Sequence, residues 1–286
     1  MAMKRLRHLT LLVLLLVLTG CSSTTFIYNR LDFFIPWYLG DYVDLNREQK
    51  ARLDELLQPF LDWHRVEELP QYLLMLDDID ARLDGPISGA DVGDTLDEVE
   101  QAWLRIETRA LEWLLALGAD LSDEQIAQFI EELRDKQAEY EEKYLTRTEQ
   151  EYREDAEENL RDNLQDMFGR LDKSQRARVV AASESLQRSD AVWLRERAEW
   201  IDLMEQLLQR RDGWQDAVRQ ASQTRQERQS ELYRQTYEHN IGVIYDAVAD
   251  VLNSRSTRQD ERLRRELNKY REAIETLIAQ GMNEAA

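Results

Sequence analysis

The chain has 286 residues, 37 basic and 57 acidic side chains, a net charge of −20 and one cysteine. So acidic a balance argues against nucleic acid, which needs a basic face, and against adhesion to anionic lipid. One cysteine cannot close an intramolecular disulfide, so the fold must be held by packing, which a chain of this length can supply.

Lys4, Arg5 and Arg7 precede an apolar run, Leu9 to Leu18, broken only by Thr10. A run of about ten residues is too short to cross ~30 Å of hydrocarbon as a helix. The layout is that of a targeting segment. It ends in Leu18-Thr19-Gly20-Cys21, which resembles a bacterial lipobox. The resemblance implies that a lipoprotein signal peptide, residues 1–20, is removed and that Cys21 is acylated, with lipid in place of any cofactor. Two acyl chains anchor stably where one is marginal. Ser22, rather than aspartate, after the cysteine implies sorting to the outer membrane, with the body facing the periplasm. Loss of the leader leaves 34 basic against 57 acidic side chains, a net charge of −23.

Residues 21–45 form an aromatic arm, "FIYNRLDFFIPWYLGDYV" at its centre. It reads either as a segment packed on the core or as one lying at the membrane interface, a zone that suits Trp and Tyr. Residues 46–286 then read as a single all-α domain: four prolines, ten glycines and apolar spacings of 3 and 4 leave little room for strands. Six helices are expected, at about 46–83, 92–117, 122–168, 172–211, 214–252 and 257–280, with Pro59 and Pro70 kinking or splitting the first. Three stripes carry the pattern: Leu96 to Leu117, then Val179, Leu186, Trp193, Trp200 and Leu207 at sevens, then Leu263 to Leu277. A seven-residue repeat predicts coiled-coil-like packing in an elongated bundle. The fourth-helix seam suits either a dimer partner or a neighbour in the same chain. Trp103, Trp113, Trp193 and Trp200 are expected in the core.

A short motif recurs: "VDLNREQKARL" from Val43, "ADLSDEQIAQF" from Ala119 and "GRLDKSQRARV" from Gly169. Leu45, Leu121 and Leu171 each precede a helix-capping residue, Asn46, Ser122 or Asp172, with Gln49, Gln125 or Gln175 three positions on. This is the capping-box spacing, and each cap contributes about 1 kcal/mol. A weaker fourth version has Ser256 and Gln259, with Arg255 in the leucine's place. The pattern also resembles the LTxxQ signature of the Spy/CpxP family of periplasmic helical proteins, whose concave faces shelter unfolded clients. Taken whole, the region from "YNRLDFFIPWYLGDYV" onward resembles an uncharacterised family of proteobacterial lipoproteins, from which no activity carries over.

Glu131 to Asp166 holds 14 acidic and 6 basic residues around a thin stripe of Tyr140, Tyr144 and Tyr152. Arg219 to Glu231 has only Ala221 as an apolar residue. Pairing the third and fifth helices antiparallel would set the acidic stretch against the arginine-rich one and leave a polar waist. The three tyrosines on that flank are the candidate client-binding surface. Catalytic and metal motifs are missing: His64 and His239 lack the Glu-x-x-His spacing, and no zinc, calcium or phosphate-loop pattern occurs. His64 lies one turn from Glu67 and Glu68, and a capped or half-exposed helix histidine is expected there rather than a metal ligand. The expectation is therefore a non-enzymatic binding or chaperone-like envelope protein, acting on varied clients or on one dedicated envelope partner.

Overall fold

The computed structural model describes residues 20–284, and every regular element among them is helical. Residues 1–19, nearly all of the expected signal peptide, lie outside the described residues. Cys21 is described only as helix backbone. No described helix is long and apolar enough to cross a membrane.

The arm is two short helices, α1 (Gly20–Tyr28) and α2 (Leu31–Leu39). The body begins with α3 (Arg47–Trp63), a π-helical turn (His64–Glu68) and α4 (Leu69–Arg82). Next come α5 (Gly89–Ala119), α6 (Asp123–Leu145) and α7 (Glu149–Phe168). They are followed by α8 (Lys173–Ser185), α9 (Asp190–Leu207), α10 (Trp214–Gln223) and the single turn α11 (Arg225–Arg228). Two long helices close the chain, α12 (Glu231–Asn253) and α13 (Thr257–Glu284).

Four of the six expected helices are therefore divided, and each division has a local cause. The first carries the π turn, where Leu69 N–H bonds His64 O five residues back. Pro70, the next residue, has no N–H to continue the α ladder. The third breaks because Thr148 and Glu151 form a capping box that starts α7 afresh. In the fourth, Leu186 is extended at ψ 137°. The exposed strand of backbone there is satisfied from other helices: Asn240 and Tyr152 side chains bond Gln187. The fifth breaks at Thr224, and Ser230 caps α12 by accepting from Tyr233 N–H. Gly169, at φ 78°, ends α7 in a conformation that favours glycine.

The core is split into several clusters joined by two long helices. The largest gathers Leu83, Val92, Phe168, Leu171, Val179 and Val251 where α4, α5, α7, α8, α12 and α13 meet. α5, about 46 Å long at 1.5 Å per residue, leaves that cluster at Val92. It ends with Trp113 and Leu117 against α2 and α3, and with Leu115 against α9 and α10. α13 runs from Leu263 in the large cluster to Leu277, which packs with Tyr28 of α1 and Leu69 of α4. The stripe residues Leu263, Leu267, Tyr270, Ile274 and Leu277 are all buried. The fourth-helix seam, by contrast, is not one seam. Val179 joins the large cluster, Trp193 packs on Tyr140, and Trp200 and Leu207 join Leu115. Of the four core tryptophans expected, Trp113 is buried and the other three are half-buried.

The expected pairing of acidic and arginine-rich stretches is corrected as well. α6 packs on α9, while α12 lies on α5 and α8. The arginine-rich stretch does meet carboxylates, but they belong to α5: Arg219 forks onto Glu112 at 2.9 Å, Ser222 bonds Glu107, and Gln226 bonds Glu100. These pairs lie at or near the surface, where water screens them, so they set direction more than stability. In a Cys21→Ser background, Glu112→Cys with Arg219→Cys, and Glu100→Cys with Gln226→Cys, should each be bridged by a short bis-maleimide. Glu158→Cys with Gln226→Cys, the pairing expected from charge alone, should not. Peptide mass mapping of the cross-linked chain reads the outcome.

Candidate functional site

Each of the three strong motif copies is a complete capping box. So is the fourth: Ser256 N–H donates to Gln259 Oε1 at 2.9 Å, and Gln259 N–H donates to Ser256 Oγ. The glutamines then do something a cap does not require. Gln49 and Gln125 face each other, each Nε2 donating to the other's Oε1 at 2.8 Å. Gln49 Nε2 also donates to Asp120 O, and Gln125 Nε2 to Asp44 O, at 2.8 and 2.6 Å. Gln175 and Gln259 repeat the arrangement at 3.2 and 2.9 Å, with Ser254 O and Arg170 O as the carbonyl partners. In all four cases the carbonyl lies two residues before the partner's cap. The four boxes thus make two clasps of the same design, one joining the first turns of α3 and α6, the other those of α8 and α13.

The design explains the residue type. Each Oε1 is held by the N–H of its own cap, which turns Nε2 toward the partner. Glutamate would complete the box but could not donate. The two boxes whose third position is an acid, Ser88 with Asp91 and Thr148 with Glu151, have no partner box. Gln175 is fully buried and Gln259 and Gln49 nearly so, while Gln125 is half-buried. Leu171 is fully buried beside its clasp; Leu45 and Leu121 are half-buried, and the caps Asn46, Ser122 and Asp172 are exposed.

The candidate client-binding tyrosines are not a surface. Tyr140 is 2% exposed and Tyr152 7%. Tyr140 and half-buried Tyr144 pack on Trp193, with ring centroids 5.9 and 6.2 Å away. All three rings also clamp guanidinium groups: Arg197 lies over Tyr140, and Arg147 lies over both Tyr144 and Tyr152 at 5.0 and 4.8 Å. Arg147 forks onto buried Asp190 and reaches Asp155. Arg188 bonds Asp190 and the Tyr144 carbonyl. The thin stripe is apolar on one side and cation-binding on the other, so it seals the α6–α7 break rather than lining a groove.

A second polar cluster sits at the junction of arm and body, and the sequence did not single it out as a unit. The π turn directs His64 and Glu68 inward, where they are 6% and 4% exposed. His64 Nδ1 meets the Tyr28 hydroxyl at 2.8 Å and Nε2 meets that of Tyr72 at 3.3 Å. With both ring nitrogens engaged, His64 is neither half-exposed nor paired with Glu67. Glu68 receives a bidentate fork from Arg105 at 2.8 and 2.9 Å. Burial pushes the Tyr28 and Tyr72 phenols up. It lowers His64 to about 4, with the charge of Glu68 opposing the shift. Arg65 lies over the Tyr28 ring and bonds Asn29, which bonds Gln280 of α13. An open cleft beside the turn is lined by Trp63, Glu67, Leu104, Arg105 and Arg109.

Residues 41–237 match the model of DUF6279, a family of unknown function. The chain belongs to this family. Its matched region holds the first clasp, the π turn and the tyrosine clamps of this DUF6279 chain, and stops before Gln259. No curated protein and no solved structure matches it.

Two outcomes follow from this geometry. Gln175→Glu keeps the cap acceptor but removes the donor and buries a carboxylate beside Ser254 O, so it should lower the unfolding free energy by about 2–4 kcal/mol. Glu151→Gln, at the exposed box of Thr148, keeps the acceptor and has no partner box to lose, so it should change stability far less. Urea denaturation at neutral pH compares them, and equal losses would refute the clasp. For His64, the unfolded chain titrates near the ordinary 6.5 and the folded one near 4. Between these values the unfolded state binds the extra proton, so stability falls as pH drops through that window. The loss reaches about 3 kcal/mol by pH 4 and grows little below it. His64→Gln, which still donates and accepts but cannot charge, should flatten that part of the pH–stability curve.

Proposed function

We propose that this protein is a lipid-anchored envelope protein, held at the outer membrane through Cys21, that acts by binding one dedicated periplasmic partner as a structural or assembly factor. It works without catalytic chemistry. The lipobox-like residues and acidic balance of the sequence support the placement. The observation that carries the choice of one partner is the rigid closure of the body. The second clasp is buried, the first clasp and the Arg147–Asp190 clamp are partly buried, and all are closed by paired hydrogen bonds, so the molecule offers one fixed shape. A fixed shape suits selective docking, whereas varied clients call for adaptable surface. The sheltering role implied by the LTxxQ likeness would have used Tyr140 and Tyr152, and these are spent internally.

The partner face lies along α5 and α12, where Leu96, Leu104, Leu232 and Tyr237 are exposed. The charges of Glu100 and Asp97 reach the Tyr237 phenol, so acidic side chains of α5 border that ring. The face is thus apolar with an acidic border and calls for an apolar, basic-edged partner. Photo-cross-linking residues in place of Leu104 and Tyr237, activated in intact cells, should give one discrete adduct, and the same one from both positions. A broad ladder of adducts, or suppression of aggregation of several unrelated unfolded proteins by the purified protein, would overturn the single-partner reading in favour of a chaperone-like one.

A further inference from the structure

The two arm helices share a division of faces that the body helices do not need. In α1, Thr24 and Tyr28 face inward at 6% and 9% exposure, while Phe26 between them faces out at 60%. In α2, Ile35 and Leu39 pack against Leu53 and Leu57 of α3, and no residue of the helix is fully buried. Phe33 and Trp37, one turn apart on the opposite side, are 60% and 61% exposed. Large aromatic rings are seldom left so bare unless something covers them.

What covers them is indicated by where the chain comes from and by charge. α1 starts directly after the apolar run Leu9–Leu18, so the chain enters the arm from the membrane side whether the leader is retained or replaced by lipid on Cys21. From Gly20 to Leu39 the only charged residues are Arg30 and Asp32, which cancel, in a protein that is otherwise one-third charged and strongly acidic. Arg30 lies over the Phe26 ring at 5.9 Å, its charge able to reach the headgroups above. The arm is the one neutral, aromatic segment on an acidic body, and rings with an apolar edge favour the boundary of headgroups and acyl chains.

We infer that α1 and α2 lie on the lipid surface, with Phe26, Phe33 and Trp37 seated in the interface. The junction that binds Tyr28 to His64 and Asn29 to Gln280 then transmits this contact to the body and sets its orientation. The preferred surface is zwitterionic, because exposed Asp54 of α3, which lines a cleft with Asp32 and Phe33, would be repelled by anionic lipid. The inference rests on the membrane anchoring proposed above but not on the partner.

The test uses the full protein purified from membranes and reconstituted into phosphatidylcholine vesicles whose acyl chains are brominated near the glycerol end. Intact mass reports whether the anchor is acyl groups on Cys21 or an uncut leader, so a failure of the lipidation reading is seen separately. Bromine should quench about one tryptophan's share of the emission from the seven present. That share should vanish in Trp37→Phe and fall in Phe33→Asp, with circular dichroism unchanged. Adding anionic lipid should weaken the quenching. Equal quenching in wild type and Trp37→Phe, or none in either, would overturn the inference and leave the aromatic face to a protein partner.

Discussion

A primary amide can hold a backbone N–H with one end and donate with the other without carrying charge, and the body of this protein is built on four of them. Each glutamine closes its own helix cap and then reaches the partner's amide and the carbonyl before the partner's cap. The two clasps fix where α3, α6, α8 and α13 begin and which starts lie together. Bringing two helix N-termini face to face sets two positive dipole ends against each other. The clasp offsets this with carbonyls and amide oxygens, and in the first clasp with the acids Glu48, Asp123 and Glu124 in the opening turns. Beyond those turns α3 and α6 share little packing, since α3 lies on α5 and α6 on α9, whereas α8 and α13 meet again in the large cluster. The first clasp is thus the main tie between the two branches it joins.

Arginine performs the complementary task at the other ends. Helix C-termini leave carbonyls without partners, and here guanidinium forks collect them. Arg210 reaches the carbonyls of Gly118 and Leu121 as well as Asp123, and Arg255 reaches those of Leu83 and Leu252. The planar fork with several fixed donors makes arginine suited to this where lysine is not. A net charge of −20 therefore coexists with an interior whose polar junctions are closed by cations. The same logic joins the arm to the body, where Tyr28, His64, Tyr72, Glu68 and Arg105 saturate one another around the π turn. The outward face of that arm leaves three rings bare, those of Phe26, Phe33 and Trp37.

How much of this was legible follows the range of the forces involved. Caps are local, so the starts at Asn46, Ser122 and Asp172 could be read from three or four consecutive residues, and Ser256 would have stood beside them had leucine not been required before it. The box at Thr148 and Glu151 was equally local but lay inside a long polar run that looked like continuous helix. The break at Leu186 had no local signal. It depends on Asn240 and Tyr152, which arrive from other helices to satisfy Gln187. The stripe of Tyr140, Tyr144 and Tyr152 looked too thin for a core because its arginine partners are not apolar and do not register in a hydrophobic pattern.

The sequence by itself determined an all-helical body, the places where its main helices start, a neutral aromatic arm, and why the third position of each strong box is occupied by a residue that can cap. These rest on contacts within one turn of helix or on composition. Only the tertiary structure decided that the four glutamines close as pairs, that the arginine-rich stretch meets α5 rather than α6 and α7, and that Tyr140 and Tyr152 are interior. Each of those depends on groups some 35 to 126 residues apart meeting with matched donors and acceptors, as Tyr152 does with Gln187 and Gln226 with Glu100. Hydrogen-bond complementarity at such separations leaves no periodicity in the chain to read.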